Sequence, residues 1–519
     1  MTQPPAPSGA RGLAGSAETR PGAPDVPPDP PGSAWAGIAW TAWVVGALTL
    51  AAAALRFSTL GEQSYWYNEA ATVVLMKASF GDMISRMSHV EGNPPLYYVL
   101  AWLWAKVFGA GEVGLRSLSA LAGTAMVPAA YAATRRLAGI RPALVVAALV
   151  SASPLLVWFS QEARPYALFA LLAALTILCF ARVLDQPSPR RLALWSVVCA
   201  LAVATHYFAI FLVGPEALWL LVALEARRRV LAALALPVVT GLALLPIATN
   251  VSDAAKTSIP GSFGERLVQL PKQFLVGFGL YSTGERAIVV VMGLLALLGA
   301  ALVLWRGDLR ERRGALVAGV LGVAAVAVVC LLAAVGLDYL NTRNMIGLWL
   351  PFAIVAGCGL GAAAVGRAGV AMAAALCALS VGAVIAVDVH RPYQRDDWRG
   401  AVRALGPATG PRAIVATPNS ATLPLEVSLP RAHVARAPMV TVQEIDAVGI
   451  AQRSSPGHEP EPPPAVTPAL PGGFVPVSIR RDRMFTVVRF RAAAPVSLPL
   501  GVLSATRLEP TAPDIEIER

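Results

Sequence analysis

The stretch AGIAWTAWVVGALTLAAAAL, residues 36–55, decides the class of this protein, because it is an apolar run long enough to cross a bilayer. Apolar runs of similar length recur as far as Val387, and a single soluble domain would not need so many. The 519-residue chain is 56% hydrophobic and 14% charged, with a mean hydropathy of +0.60. The sequence therefore predicts an all-α polytopic membrane protein.

The net charge of +11 reflects membrane topology and not a nucleic-acid partner, because the arginines lie mainly in short loops between apolar runs and in the tail. Five cysteines all fall within apolar segments, where they are interpreted as small buried hydrophobes and not as disulfides or metal ligands. They are Cys179, Cys199, Cys330, Cys358 and Cys377.

Arginine clusters, placed in the cytoplasm, predict about 11 transmembrane helices with the amino terminus inside and the carboxyl terminus outside. Residues 1–34, rich in Pro, Gly and Ser, are expected to form a disordered cytoplasmic tail. Residues 35–388 form the transmembrane domain, whose first outer loop spans 57–114. Within that loop, 95–109 is too short to cross comfortably and is predicted to be a juxtamembrane helix at the outer surface. If it crossed, the topology after it would invert.

After Asp388 the composition becomes polar and Pro-rich, which predicts an extracytoplasmic C-terminal domain over 389–519. A helix is expected to begin near residues 390–400 as the chain leaves the membrane. Alternating or β-branched residues predict strands at 412–417 and 483–490, so the domain is interpreted as a small α/β fold. A Pro-rich loop is predicted at 454–471 and a free end at 511–519.

On this topology, polar residues near the outer ends of spans collect on one side of the membrane. Ionisable groups at such a surface cost free energy to desolvate and are usually kept for function. A transporter would instead place its charges near mid-span, where the nearest case here is Glu216. The candidate site residues are Asn68, Glu69, Glu91, Asn93, Arg164, His206, Tyr207 and Arg343.

The order and spacing of the motifs around these residues resemble the GT-C glycosyltransferases. The resemblance is to the family 39 type, which includes protein O-mannosyltransferases and bacterial aminoarabinose transferases. Asn68-Glu69 stands where that family has an acidic pair after the first span. The later matches are Glu91-Gly92-Asn93-Pro94-Pro95-Leu96-Tyr97-Tyr98, Gly114-Leu115-Arg116-Ser117-Leu118-Ser119-Ala120-Leu121, Gln161-Glu162-Ala163-Arg164-Pro165-Tyr166-Ala167, Thr205-His206-Tyr207-Phe208 and Tyr339-Leu340-Asn341-Thr342-Arg343-Asn344.

The resemblance implies transfer of a hexose, with mannose as the first expectation, from a polyprenyl-phosphate donor in the bilayer to an extracytoplasmic lipid, wall glycan or protein. Such a reaction needs a base near the anomeric carbon and cations for the departing phosphate. Glu69, beside Asn68, is expected to be the base, and Arg164 and Arg343 are expected to bind the phosphate. Four further residues are expected to bind substrate: Glu91, Asn93, His206 and Tyr207.

Asn68 departs from the family pattern, which has aspartate there, and an amide cannot accept a proton at neutral pH. Either Glu69 or Glu91 then supplies the base, or the chain is a catalytically impaired binding or scaffold protein. A lipid-linked-sugar transporter is a third alternative. The sequence predicts no metal site, although a divalent cation remains compatible with the family, and no nucleic-acid partner. High Ala, Arg, Gly and Pro usage indicates a GC-rich bacterial genome and therefore the bacterial plasma membrane.

Overall fold

The computed structural model describes residues 31–249, 262–278, 283–452, 460–468 and 470–518. The chain divides into two compact units, Met1–Val44 and Val45–Arg519, and every candidate site residue belongs to the second unit. Residues 1–30 of the predicted disordered tail lie outside the described residues. The predicted domain boundaries at 34/35 and 388/389 therefore remain predictions.

Helices make up most of the chain before the C-terminal domain, as the apolar, Ala- and Leu-rich composition leads one to expect. In chain order the sixteen α-helices of the described residues before that domain are α1 (Pro31–Phe57), α2 (Tyr67–Lys77), α3 (Phe80–Val90), α4 (Leu96–Phe108), α5 (Glu112–Ala138), α6 (Ile140–Ala152), α7 (Pro154–Ser160), α8 (Tyr166–Asp185), α9 (Pro189–Thr205), α10 (Ile210–Ala223), α11 (Arg227–Thr249), α12 (Phe263–Val276), α13 (Thr283–Arg306), α14 (Leu309–Ala334), α15 (Trp349–Leu360) and α16 (Gly366–Val389).

Six helices of the described chain are long and apolar enough to cross a membrane, or seven if α6 and α7, which meet at a 54° bend, form one span. The predicted spans fall on α1, α5, the α6–α7 pair, α8 to α11 and α13 to α16. However, α9, α10 and α15 have only 17, 14 and 12 residues. A multispan helical protein is thus confirmed, and the number eleven stays a prediction.

The bend between α6 and α7 is stabilised by Arg56 at the end of α1. Pro154 begins α7 and has no N–H to donate, so the last carbonyl groups of α6 need other partners. The buried Arg56 guanidinium donates to the carbonyl oxygens of Val150 (2.9 Å) and Ser151 (3.0 Å) and to the hydroxyl of Ser160 (3.2 Å). One arginine therefore joins α1 to both halves of the bent pair.

The segment predicted to be the first outer loop contains α2, α3 and α4, so a helix does occupy residues 96–108, where one was predicted. Pro94 and Pro95 precede α4 and restrict how the chain enters it. The indole N–H of Trp102 donates to the Ala78 carbonyl at 3.1 Å, and that of Trp104 donates to the Ser117 hydroxyl at 2.9 Å. These bonds attach α4 to the end of α2 and to α5.

The C-terminal domain is a six-stranded mixed sheet in the order β2-β6-β1-β3-β5-β4, with β1 and β3 parallel and the other pairs antiparallel. Its helices pack against the sheet, and two apolar clusters are buried in the domain. The elements are α17 (Trp398–Leu405), β1 (Arg412–Thr417), α18 (Thr422–Ser428), β2 (Ala432–Val434), β3 (Met439–Ile450), β4 (Val475–Arg481), β5 (Phe485–Pro499), α19 (Leu500–Ser504) and β6 (Asp514–Glu518).

The small α/β domain is confirmed, as are the strand at 412–417 and most of the strand at 483–490, which belongs to the longer β5. The predicted free end is wrong, because residues 514–518 form β6 between β1 and β2. Ile515 and Ile517 pack against one apolar cluster of the sheet, and the Glu518 carboxylate pairs with the buried Arg412. Part of the predicted Pro-rich loop, 453–459, lies outside the described residues.

Candidate functional site

Glu69 lies in the first turn of α2, where its carboxylate is completely buried against Arg116 of α5. Oε1 accepts from Arg116 Nε at 2.8 Å and from the Ala163 backbone N–H at 2.8 Å, and Oε2 accepts from Arg116 Nη2 at 2.6 Å. Arg116 also donates to the carbonyl groups of Leu60, Gln63 and Ser64. The pair therefore joins the start of the first outer loop to α5 and to the loop after α7.

This geometry is that of a structural ion pair. Although burial opposes ionisation, the Arg116 guanidinium holds the pKa of Glu69 below its usual range. A carboxylate that is fully buried, already accepts three hydrogen bonds and has a lowered pKa is poorly arranged to take a proton from an acceptor. The base role expected of Glu69 stays a prediction that these contacts do not favour.

Arg164, in the turn between α7 and α8, brings Asn68 and Glu91 together. Its Nη1 donates to the Asn68 carbonyl at 3.2 Å and to Oε1 of Glu91. Oε2 of Glu91 accepts from the Tyr98 hydroxyl at 3.0 Å. Glu91 and Arg164 are both buried, so this is a desolvated ion pair. Arg164 therefore positions a carboxylate, whereas the sequence suggested a phosphate ligand.

The residues beside this pair are more accessible. Asn68, Gly92 and Asn93 are each half-buried, and within the described chain the Asn68 and Asn93 side chains make no hydrogen bond. Asn68 shares Arg164 with Glu91, and Asn93 is two residues from Glu91 along the chain. Arg164 thus joins Asn68 to Glu91, and the half-buried Asn68 and Asn93 side chains are available to a ligand.

Arg343 and His206 form the second part of the site. His206 follows α9, is buried, and stacks on Phe169 with ring centroids 4.9 Å apart. Burial lowers the pKa of His206 to about 3, and the charges of Arg343 and Arg164 act in the same direction, so the imidazole is neutral. The half-buried Arg343 side chain has no hydrogen bond or ion pair among the described residues. Its charge acts on His206 and on the buried Glu162, but no described carboxylate forms an ion pair with it.

Tyr207 contributes little to this cluster. Its half-buried hydroxyl donates to the Leu244 carbonyl of α11 at 3.4 Å, which ties it to a neighbouring helix and not to the carboxylates. Among the described residues no group of three or more His, Cys, Asp or Glu side chains is placed to hold a metal ion.

Sequence reasoning missed three charged residues of the site. Arg116 and Glu162 lie within the quoted motifs, so their positions were visible although their roles were not. Arg395 gave no signal, because it lies more than 200 residues from its contacts. Its Nη2 donates to the Trp158 carbonyl at 3.0 Å and to Glu162 Oε2 at 3.4 Å.

An apolar cavity of about 830 Å³, the α10–α14 groove, lies between these two helices, a short distance along the chain from His206. Ile210, at the start of α10, and Leu332, near the end of α14, both line it. The remaining lining residues are Phe211, Gly214, Pro215, Leu218, Trp219, Val222, Ala223, Val320, Ala324 and Val328.

Known proteins share both sequence and fold with this chain. Residues 92–252 match the sequence model of the family described as dolichyl-phosphate-mannose-protein mannosyltransferase. The structure is similar to that of ArnT from Cupriavidus metallidurans bound to undecaprenyl phosphate, with a TM-score of 0.53 and 16% identity, over 86% of this chain and 98% of ArnT. No match is found among the curated proteins.

Two further structures are similar over part of their length. ArnT in the apo state gives a TM-score of 0.45 and 17% identity over 63% of this chain, and the match spans 60% of that ArnT chain. The apo oligosaccharyltransferase of Archaeoglobus fulgidus gives 0.44 and 11% identity over 71% of this chain and 58% of its own. The resemblance found in the sequence is confirmed: this multispan membrane protein has the fold of ArnT, a GT-C glycosyltransferase, and its residues 92–252 match the mannosyltransferase family model.

Proposed function

We propose that this protein is a membrane glycosyltransferase that transfers a hexose from a polyprenyl-phosphate donor to an extracytoplasmic acceptor. Mannose is the first expectation for the hexose. The single observation behind the proposal is Arg343, a guanidinium without an ion pair among the described residues, whose charge acts on the neutral His206 together with that of Arg164. A cation without a carboxylate partner suits a reaction in which an anion departs.

We expect the groove and Arg343 to bind the donor. A polyprenyl tail is apolar and fits the α10–α14 groove, whose described lining is apolar throughout. Arg343 would then hold the phosphate by two hydrogen bonds, because its planar fork matches the phosphate oxygens. The neutral imidazole of His206 can donate one further hydrogen bond to the phosphate, while Arg343 supplies the positive charge. The ArnT structure with the same fold is bound to undecaprenyl phosphate, which supports a donor of this class.

Glu91 is the base that we favour. Each of its oxygens accepts one hydrogen bond, which leaves lone pairs available, and it borders the half-buried Asn68 and Asn93. The acceptor hydroxyl would give its proton to Glu91 while its oxygen bonds to the anomeric carbon. The bond from that carbon to the phosphate oxygen breaks, and polyprenyl phosphate leaves with its charge next to Arg343. Asn68 would orient the acceptor, and Arg164 would hold Glu91 in place.

Two other functions, a scaffold protein and a transporter, are less well supported. A scaffold protein with a lapsed site would explain Asn68, where the related enzymes have aspartate. A transporter is less supported, because the mid-helix carboxylate of Glu216 is held by the Trp195 indole at 2.8 Å and the Thr176 hydroxyl at 3.0 Å. Those contacts are typical of a structural role.

The deciding experiment measures sugar transfer by the purified protein in lipid, from radiolabelled polyprenyl-phosphate-mannose and polyprenyl-phosphate-glucose. Wild type is expected to transfer sugar, and Glu91→Gln to lose transfer by about 100-fold or more while still binding donor. Arg343→Gln is expected to weaken donor binding, whereas Arg286→Gln, an exposed arginine at the start of α13, should not. A silent wild type that recovers in Asn68→Asp would favour the scaffold and refute the proposal.

The groove has its own test. Gly214 lines it, and a Cβ at this position would have no heavy atom within 4 Å, so Gly214→Leu should place a side chain in the groove and narrow it. Gly382→Leu is the matched control, because Gly382 is an exposed glycine of α16 that also has open space. We expect only the first change to raise the KM for long-chain donors, and a short-chain donor should be less affected.

A further inference from the structure

The segment that joins α16 to the C-terminal domain is tied to the first outer loop by a row of hydrogen bonds. The Ser64 hydroxyl donates to the Asp396 carbonyl at 2.8 Å, and the Arg395 N–H donates to the Gln63 side chain at 3.0 Å. Arg399 donates to the carbonyl groups at 61 and 62 and pairs with Glu112 at 2.6 Å. The loop that leads into Asn68 is therefore held from outside by the C-terminal segment.

Arg395 goes deeper than its neighbours. Its guanidinium is buried and lies over the Trp158 ring, 4.1 Å from the ring centroid, so that the aromatic face supports the cation. Its Nη2 bonds to the Trp158 carbonyl and reaches Glu162. A residue of the C-terminal segment thus contacts both the end of α7, at Trp158, and the loop between α7 and α8, at Glu162.

Glu162 is an unusual partner, because it is buried and its Oε1 has no hydrogen bond among the described residues. Burial raises the pKa of Glu162, and the negative charge of Glu69 adds to this. Three arginines oppose the shift: Arg395 from the C-terminal segment, Arg164 from its own loop and Arg343 from the loop after α14. The ionised state of Glu162 thus depends on surrounding cations.

We propose that Arg395 is a positioning residue of the donor site: it orients the Glu162 carboxylate, whose negative charge attracts Arg343 through space and favours its position at the donor phosphate. This inference rests on the proposed function. Glu162 and Arg343 form no ion pair in the described chain, so the attraction between them acts at longer range than a direct contact, and it is lost below the pH at which Glu162 becomes neutral. The C-terminal domain, through this one side chain, is part of the transfer site and not only a cover over it.

The test is the pH dependence of donor affinity, measured as the KM for radiolabelled donor and as binding of unlabelled undecaprenyl phosphate to protein in lipid. Donor affinity is expected to fall on the acid side of its pH profile, and we call this fall the acid limb. In Arg395→Gln the acid limb should move to higher pH by about one pH unit or more, because an opposite charge within about 4–6 Å shifts a carboxyl pKa by about 1–3 units. Arg395→Lys should move the limb less, since it keeps the charge. Glu162→Gln should weaken donor affinity and lose this limb.

Arg399→Gln is the matched control, because it removes the Arg399 bonds between the same segment and residues 61, 62 and 112 without touching Glu162. It should keep the wild-type limb, and a uniform loss of activity at every pH in Arg395→Gln would point to a merely structural role. An unshifted limb in a folded Arg395→Gln protein, or an equal shift in Arg399→Gln, overturns the proposal.

An infrared measurement separates this inference from the proposed function, because it needs no substrate. The band of a protonated carboxyl should appear at higher pH in Arg395→Gln than in wild type and should be lost from Arg395→Gln/Glu162→Gln. A wild type that neither transfers sugar nor binds undecaprenyl phosphate refutes the proposed function, and the infrared result then shows whether Arg395 controls Glu162. If the band does not move, the proposal for Arg395 fails by itself.

Discussion

Replacement of Glu69 by glutamine distinguishes a structural from a chemical role for the acidic residue after the first span. A glutamine oxygen at the Oε1 position can keep the hydrogen bonds from the Ala163 N–H and from Arg116 Nε, but the carboxylate charge and the bond from Arg116 Nη2 are lost, and an amide N–H turns toward that guanidinium. Hydrogen bonds to charged groups contribute about 1.5–3 kcal/mol each, and breaking a buried ion pair costs about 3–5 kcal/mol. We therefore expect Glu69→Gln to lower the free energy of unfolding by about 3–5 kcal/mol.

The assay is equilibrium unfolding in mixed micelles of lipid and increasing sodium dodecyl sulfate, run beside sugar transfer. Asp185→Asn is the matched control, because it breaks an ion pair with Arg136 whose two side chains are 42% and 47% exposed. Exposed pairs of this kind contribute about 0–1 kcal/mol, so the control should unfold almost as wild type does.

A different outcome would refute the structural assignment. If Glu69→Gln unfolds like wild type, binds donor normally and yet loses sugar transfer, the carboxylate takes part in the reaction and Glu69 is the base. If stability and transfer fall together, the double variant Arg116→Gln/Glu69→Gln tests the structural role. Its free energy of unfolding should be no lower than that of Arg116→Gln alone, because the two residues form one interaction.

Three further changes test the packing and the electrostatics. Gly359→Ala should destabilise by about 1–3 kcal/mol in the same unfolding assay, because a Cβ there would lie 1.8 Å from a backbone oxygen of α13; Gly382→Ala, with open space, should be nearly neutral. Arg56→Met should destabilise by about 1–3 kcal/mol for each carbonyl left unbonded at the α6–α7 bend, and wild-type stability would contradict this role of Arg56. Burial raises the pKa of Glu516 to about 8, so its native carboxyl costs stability as pH rises toward 8; Glu516→Gln should raise the thermal midpoint at pH 8–9 and leave it unchanged at pH 4, and an equal gain at both pH values would refute the sign.

Much of the fold could be predicted because membrane helices are encoded locally. A long apolar run such as residues 36–55 must form its hydrogen bonds within the segment, so its composition nearly dictates a helix. The short helices are harder, since α9, α10 and α15 lack the length that separates a span from a buried helix. The last strand was missed because five residues near a chain end give a weak alternation signal, and only the pairing of β6 with β1 and β2 makes it a strand.

For the site, the sequence by itself determined which polar residues stand at the ends of apolar runs, and most of the candidates do gather there. It could not determine which of them are already paired. Glu69 and Arg164 are occupied by Arg116 and Glu91, whereas Arg343 is left without an ion pair in the described chain. Arg395 reaches Glu162 across more than 200 residues of chain. The physical reason is that charge pairing depends on distance in space and on burial, and only the tertiary structure decides both.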